Sequence, residues 1–156
     1  MAIKILILCT GNSCRSQMAH GFLQSFNKDL IVCSAGTKAT GKLNEGAVQT
    51  MSEAGIDISG HTSDSVEKYI NDEWDYVITV CSGANDTCPV FTGKVKRRLH
   101  FGFDDPSHAK GTPEFITSEF RRVRNEIYRR FRSFYLFELV EEPSHSYSIN
   151  YFCGCG

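Results

Sequence analysis

One stretch of the chain constrains its fold more than any other. Residues 3–8 read IKILIL, a run that is apolar apart from Lys4. Such a run is too short to cross a membrane and too apolar to lie on a surface. It is typical of a strand buried on both sides, as in the parallel sheets of α/β proteins. Gly11 and Asn12 follow closely and end the run, so we expect a loop there.

The rest of the chain alternates helical and strand patterns. The strand patterns lie at 30–36, 75–81 and 97–103, and the helical patterns at 15–26, 44–55, 63–70 and 113–140. The fourth strand is partly polar, which indicates an edge position. The last helix begins at Pro113 and has Phe115 on its apolar stripe. We therefore expect an α/β fold, a single-domain parallel four-stranded sheet with helices on both faces.

Length and charge limit the domain organisation and the partners. We expect one domain over 1–140 and a flexible C-terminal tail over 141–156, because the helical period is lost after Pro143. The formal net charge of −1 argues against nucleic acid and anionic membranes as partners, since both need a basic excess. The N-terminal run lacks a small-residue cleavage motif, so the expected location is cytoplasmic. The expected oligomeric state is a monomer.

Seven cysteines are many for a protein of a reducing compartment. They are Cys9, Cys14, Cys33, Cys81, Cys88, Cys153 and Cys155. An odd number without a secretion signal argues against a disulfide framework, and no pair of C-x2-C spacings predicts a zinc site. Catalysis, another kind of metal binding and simple packing remain as possible roles. The two cysteines of the tail receive no assigned role.

The segment CTGNSCRS at 9–16 joins the first strand to the first helix. A loop whose backbone N–H groups turn inward at a helix N-terminus can bind a tetrahedral oxyanion. The helix and Arg15 favour the thiolate of Cys9, which makes it a candidate nucleophile. Arg15 can hold two oxygens in a bidentate fork, Ser16 can hydrogen-bond the thiolate, and Asn12 can lock the loop. The candidate oxyanion-binding residues are Thr10, Gly11, Asn12, Ser13, Cys14, Arg15 and Ser16, with Cys14 expected to be a spectator in the chemistry.

This loop resembles the phosphate-binding loop of the low-molecular-weight protein tyrosine phosphatases and of the arsenate reductases that share their fold. The resemblance implies that Cys9 is the nucleophile and that Arg15 clamps the oxyanion. It also implies that the general acid is an aspartate directly before a proline, which FGFDDPSH supplies as Asp105 before Pro106. Asp104 is the less favoured neighbour, because the acid of the family adjoins the proline.

The segment VCSGANDTCP contains two cysteines that resemble the redox pair of the thioredoxin-coupled arsenate reductases. Cys81 and Cys88 match that pair, and the resemblance continues through SAGT, GIDISGHTSD and FRRVRNEI. It implies reduction of arsenate to arsenite through a covalent arseno-cysteine on Cys9. A disulfide then passes from Cys9–Cys81 to Cys81–Cys88, and thioredoxin reduces it. The segment 82–87 must rearrange to bring the last two sulfurs together.

Two other functions stay open at this point. A tyrosine phosphatase of the same fold would share the loop and the acid, although it would place an aromatic residue where this chain has Ser107. A non-enzymatic oxyanion or thiol sensor would bind anions without turnover. The spacing C-x6-C alone does not decide between these functions.

No bound cofactor is expected, and the resemblance raises potassium as the one ion to consider. Some family members bind it through Asn, Ser, Asp and Glu side chains. Asn12, Ser34 and Asp64 match, but His20 stands at the Glu position, which argues against the site. His61 resembles a family position near the loop, where we expect a positioning role. The run GTKATGK at 36–42 is rejected as a nucleotide loop, because Leu43 replaces the magnesium-binding hydroxyl.

Overall fold

The structure, a computed structural model, describes residues 2–82 and 90–140. Four parallel strands form one sheet in the order β2-β1-β3-β4. The strands are β1 (Lys4–Cys9), β2 (Ile31–Gly36), β3 (Glu73–Thr79) and β4 (Lys94–His100), and the α-helices are α1 (Arg15–Phe26), α2 (Glu45–Glu53) and α3 (Pro113–Phe134). Short 3-10 helices span Val66–Tyr69 and Pro106–His108, and a π-helical turn, Tyr135–Leu139, follows α3. The predicted fold class is confirmed, with the α-helices on one face of the sheet and the 3-10 helix Val66–Tyr69 on the other.

The two faces of the sheet carry separate hydrophobic cores. All three α-helices pack into the larger core, together with Ile5, Ile7 and Cys9 of β1. Leu6 and Leu8 point to the opposite face, where Trp74 and Phe91 pack and the 3-10 helix Val66–Tyr69 adds cover. Side chains alternate along a strand, so the parity of β1 sends Cys9 to the side of α1. The fold thereby places the sulfur beneath the loop that leads into α1.

Several elements differ in extent from the sequence prediction. β4 begins and ends three residues earlier than predicted, because an edge strand tolerates charged residues that an apolar pattern excludes. Lys94 and Lys96 of this strand pair with acidic residues of β3 at 3.4 Å and 3.1 Å. The helix predicted at 63–70 is a single 3-10 turn. Phe115 is 49% exposed, so its predicted place on the buried stripe is wrong.

Two of the sequence predictions fall outside the described residues in whole or in part. The C-terminal tail over 141–156, with Cys153 and Cys155, lies outside them, as does Cys88. Within the described chain, none of the helices combines the length and the apolar character that a membrane span requires.

Replacing Phe131 should test how far the larger core stabilises the fold. Its ring is fully buried and packs against Phe101, Phe103 and Phe134. Phe131→Ala should lower the free energy of unfolding by about 3–5 kcal/mol, measured by urea denaturation. Phe137→Ala is the matched control, because Phe137 is 83% exposed. Similar losses for the two variants would contradict this description of the core.

Candidate active site

The loop between β1 and α1 is held in shape by neighbouring segments that donate hydrogen bonds to its backbone carbonyls. The carbonyl oxygens of Cys9, Thr10, Gly11 and Ser13 accept hydrogen bonds from backbone N–H groups of the 37–44 segment, at 2.9–3.3 Å. Ser63 Oγ donates a second bond to the Gly11 carbonyl, at 3.1 Å. A trans peptide places its N–H opposite its C=O, so carbonyls that are tied outward leave the N–H groups facing inward. The loop therefore lines a concavity with donors, which suits an anion.

Two residues make this loop geometry possible. Asn12 has a φ of 49°, in the left-handed region that asparagine tolerates better than most residues. Its side chain donates to Ser16 Oγ at 2.8 Å and accepts from the Asp64 N–H at 2.8 Å, which locks the turn. Gly36 ends β2 against the loop, and a Cβ there would lie 2.3 Å from the Thr10 carbonyl oxygen. Any side chain at this position would push the loop out of place.

The sulfur of Cys9 sits among donors. The Asn12 N–H donates to it at 3.2 Å, and Ser16 Oγ lies 2.9 Å away. Because Ser16 Oγ already accepts from the Asn12 side chain, its own proton is available for the sulfur. Among the described residues, no side chain caps the N-terminus of α1. The first turn of that helix is therefore free to favour negative charge beside Cys9.

A pocket of about 310 Å³ opens over this loop. Its lining residues are Cys9, Thr10, Gly11, Ser13, Cys14, Arg15, Lys38, Thr40, Asp105, Ser107 and His108. Arg15 is only 4% exposed, so its charge acts where water screens little. The hydroxyl of Thr10 is buried and has no hydrogen-bond partner within the described chain, which leaves it free for a ligand. Donors and one buried cation thus face the space where an oxyanion would lie.

The aspartate predicted as the general acid lies at the mouth of the pocket. Asp105 Oδ2 is 3.4 Å from Arg15 Nη2 and 3.7 Å from His108 Nε2. Its Oδ1 accepts bonds from the N–H and the hydroxyl of Ser107, at 3.0 Å and 2.6 Å. Asp104 lies elsewhere, 3.1 Å from Arg122 of α3. Of the two neighbouring aspartates, only Asp105 lines the pocket.

The cysteines differ sharply in their surroundings. Cys9, Cys14 and Cys33 are free thiols, whereas the fully buried Cys81 is disulfide-bonded. Burial raises the pKa of the Cys14 thiol, and Asp105 nearby adds to the effect. Leu8 pairs with Thr79 in the sheet, so Cys81 lies one residue beyond the position opposite Cys9 on the neighbouring strand. Adjacent strands are about 4.8 Å apart, so the backbones of Cys9 and Cys81 lie close together. β3 itself ends at Thr79, two residues before Cys81, where the sequence pattern predicted its end.

The residues at the family's potassium positions do not fit a cation here. His20 Nδ1 lies 3.0 Å from Ser34 Oγ, and its ring stacks on His61 at 4.3 Å between centroids. Asp64 Oδ2 is already 2.9 Å from the Thr62 hydroxyl and 3.5 Å from the Lys68 ammonium. These contacts occupy the Ser34 hydroxyl and one carboxylate oxygen of Asp64, and His20 brings no carboxylate of its own.

Sequence reasoning missed Gln17, which connects the loop to its surroundings. This side chain is fully buried and donates to the carbonyls of Asn12 and Thr62, at 3.0 Å and 2.9 Å. The amide oxygen of Gln17 lies 3.0 Å from His61 Nδ1, so Gln17 connects His61 to the loop, and a positioning role for His61 stays a prediction. The available signal was a polar residue in the first turn of a helix with a buried face. Polar residues near a helix N-terminus usually cap the helix and face solvent, so this signal did not single out Gln17.

The strand–loop–helix with a free cysteine and a buried arginine defines an α/β protein with a cysteine-based oxyanion loop. The model of the low molecular weight phosphotyrosine protein phosphatase family matches residues 4–144, and the chain belongs to this family.

Individual relatives agree with this assignment. A protein named arsenate reductase from Bacillus subtilis is 50% identical over 131 residues, which cover 83% of this chain and 93% of the relative. Another from Halalkalibacterium halodurans is 49% identical, with the same coverage. A solved structure described as an arsenate reductase in the phosphate binding state has a TM-score of 0.70 and 31% identity, over 84% of this chain and 95% of that chain.

Stability should depend on pH through His20. Burial, and then the neighbouring His61, lowers the pKa of His20 to about 4. An unfolded histidine titrates near ~6.5, so between these values the unfolded state binds more protons and stability falls as the pH is lowered. The loss should reach about 3 kcal/mol by pH 4. Urea denaturation at pH 7 and pH 4.5 should show a smaller loss in His20→Gln than in the wild type.

The control for this prediction is His108→Gln. His108 is 73% exposed, so it lacks the burial invoked for His20, and comparing the two variants isolates the effect of the buried ring. Equal pH dependence in the wild type and in His20→Gln would show that His20 is not held neutral by burial.

Proposed function

We propose that the protein reduces arsenate to arsenite with Cys9 as nucleophile. The observation that carries this proposal is the position of Cys9: a free thiol in a donor-lined oxyanion pocket, with a disulfide-bonded cysteine two residues past the end of the neighbouring strand β3. A phosphatase needs the first of these features but has no use for the second. The relatives named arsenate reductase, at about half identity, support the same choice.

In the first step, arsenate binds in the loop and the Cys9 thiolate attacks arsenic. The loop N–H groups and Arg15 stabilise the charge on the oxygens. Asp105 protonates the departing hydroxide, which leaves as water. The product is a covalent bond between Cys9 and arsenic(V).

In the second step, the Cys81 thiolate attacks the Cys9 sulfur. The electron pair of the sulfur–arsenic bond goes to arsenic, which leaves as arsenite, and a Cys9–Cys81 disulfide forms. Cys88 then attacks Cys81 and releases the Cys9 thiolate. A free Cys9 together with an oxidised Cys81 is the distribution expected after this transfer. Thioredoxin reduces the Cys81–Cys88 disulfide and completes the cycle.

The tyrosine phosphatase alternative fits the pocket less well. The described lining of the pocket contains no Phe, Tyr or Trp ring on which a phenyl ester could stack, and Ser107 follows Pro106. Shared loop chemistry still permits some ester hydrolysis, so both reactions belong in the deciding assay.

The deciding assay measures arsenite formation with thioredoxin, thioredoxin reductase and NADPH, beside hydrolysis of phosphotyrosine. We expect arsenite to form in proportion to the NADPH consumed. Rapid ester hydrolysis without arsenate turnover would favour the phosphatase. Anion binding without either reaction would favour a sensor.

Replacing Cys88 by Ser should separate the thiol steps. Cys88→Ser should release one arsenite per protein and then stop, with a Cys9–Cys81 disulfide that peptide mapping identifies. Cys33→Ser is the matched control and should cycle normally, because burial raises the pKa of Cys33 and it does not line the pocket. Sustained cycling of Cys88→Ser would refute the relay.

Replacing Asp105 by Asn should slow the first step. The amide keeps the shape of the side chain but cannot donate the proton of an acid, so we expect a fall of about 10²-fold or more in single-turnover arsenite formation. Phosphate affinity, measured by competition, should not fall, because the amide removes a negative charge beside the bound anion. An unchanged single-turnover rate would exclude Asp105 as the acid.

A further inference from the structure

The loop that carries Asp105 is held at one end by Arg15 and at the other by α3. Arg15 Nη1 donates to the carbonyl of Phe103 at 3.1 Å. Phe103 and Pro106 are both buried, and Asp104 and Asp105 lie between them in the chain. The side chain of Asp104 points away from the pocket, to the guanidinium of Arg122, with an Nη2–Oδ2 distance of 3.1 Å.

We propose that Arg122 is a positioning residue, which orients the general acid by holding its neighbour Asp104. This inference rests on the proposed role of Asp105. The backbone of Asp105 is extended, with φ −89° and ψ 105°. Side chains of consecutive residues in extended backbone point to opposite sides. Fixing Asp104 against α3 therefore turns the Asp105 carboxyl toward Arg15 and the pocket.

The guanidinium of Arg122 is itself held in a fixed direction. Two carboxylates of the same helix grip it, Glu119 through Nε and Nη2 at 3.3 Å and 2.8 Å, and Glu126 through Nη1 at 2.9 Å. These partners are three residues before and four residues after Arg122, the spacing at which side chains meet on a helix. With both glutamates in contact, Nη2 still faces the loop, where it binds Asp104. A lysine could not make all of these contacts, because it lacks the planar fork.

The exposure of these side chains indicates that the contacts of Arg122 orient the acid loop and contribute little to the stability of the fold. The Arg122 and Asp104 side chains are 40% and 69% exposed, and exposed ion pairs contribute little to folding. The rate of a proton transfer, by contrast, depends steeply on small displacements of the acid. Without Arg122, three carboxylates would also face one another without a cation. Their repulsion would move Asp104, and with it the loop.

The test compares Arg122→Gln with Arg121→Gln. Arg121 is the adjacent residue on the same helix and pairs with Glu53 of α2 at 2.9 Å, away from the acid loop. Arg122→Gln should lower the single-turnover rate of arsenite formation about tenfold, with the dissociation constant for inorganic phosphate changed less than twofold. Arg121→Gln should stay within twofold of the wild type in both. Arg122→Lys should recover part of the rate.

A double-mutant cycle and a leaving-group series distinguish positioning from general damage. Arg122→Gln combined with Asp104→Asn should be no slower than the slower single variant, because both remove one contact. We expect Arg122→Gln to lower kcat/KM more for phenyl phosphate than for 2,4-dinitrophenyl phosphate. The leaving group of the second ester needs no proton, so its hydrolysis does not depend on the acid.

The outcomes separate this inference from the function on which it rests. Wild-type protein that does not turn over arsenate would refute the proposed function. An active wild type with equal rates in Arg122→Gln and Arg121→Gln, or with multiplying defects in the double variant, would refute the role of Arg122 alone.

Discussion

The orientation of the peptide groups between Cys9 and Cys14 is the constraint on which the site depends. Each carbonyl in this stretch has a hydrogen-bond donor outside the pocket, four of them from other segments and two from the first turn of α1. Buried carbonyls without partners would cost about 1–3 kcal/mol each, so the surrounding chain effectively fixes their direction. The inward N–H groups are the consequence. The neighbouring segments thus build the anion site as much as the loop does, and the left-handed Asn12 and the absent side chain of Gly36 are what this arrangement requires.

Arg15 connects anion binding to the proposed acid chemistry. Its guanidinium donates to the Phe103 carbonyl and lies beside Asp105. A bound oxyanion would draw part of that interaction to itself and would bring its own negative charge close to the Asp105 carboxyl. In the proposed mechanism, the same arginine therefore holds both the oxyanion and the loop that carries the acid.

The sequence patterns could predict the strand–helix order and the nucleophile loop, because these depend on local periodicity and on short spacings. The extent of β4 could not be predicted in this way, since its charged residues are satisfied by partners on β3 that only the sheet register reveals. The roles of Gln17 and Arg122 were missed for a related reason. Their key contacts reach residues that lie 45 and 18 positions away in the chain. Contacts at such separations carry no periodic signal. Asp105 was predicted only through the family resemblance, because an aspartate–proline pair alone indicates no more than a turn.

Burial offers an explanation of how several thiols coexist with one reactive cysteine. Burial raises the pKa of Cys14 and Cys33, so both stay protonated and unreactive at neutral pH although Cys14 adjoins the pocket. Cys9 is also buried, but a backbone N–H and a hydroxyl are directed at its sulfur. Among the described residues, no donor of this kind faces the Cys14 sulfur. The proposed thiol relay can therefore begin at Cys9 and pass to Cys81 without Cys14, although Cys14 lies in the same loop as Cys9.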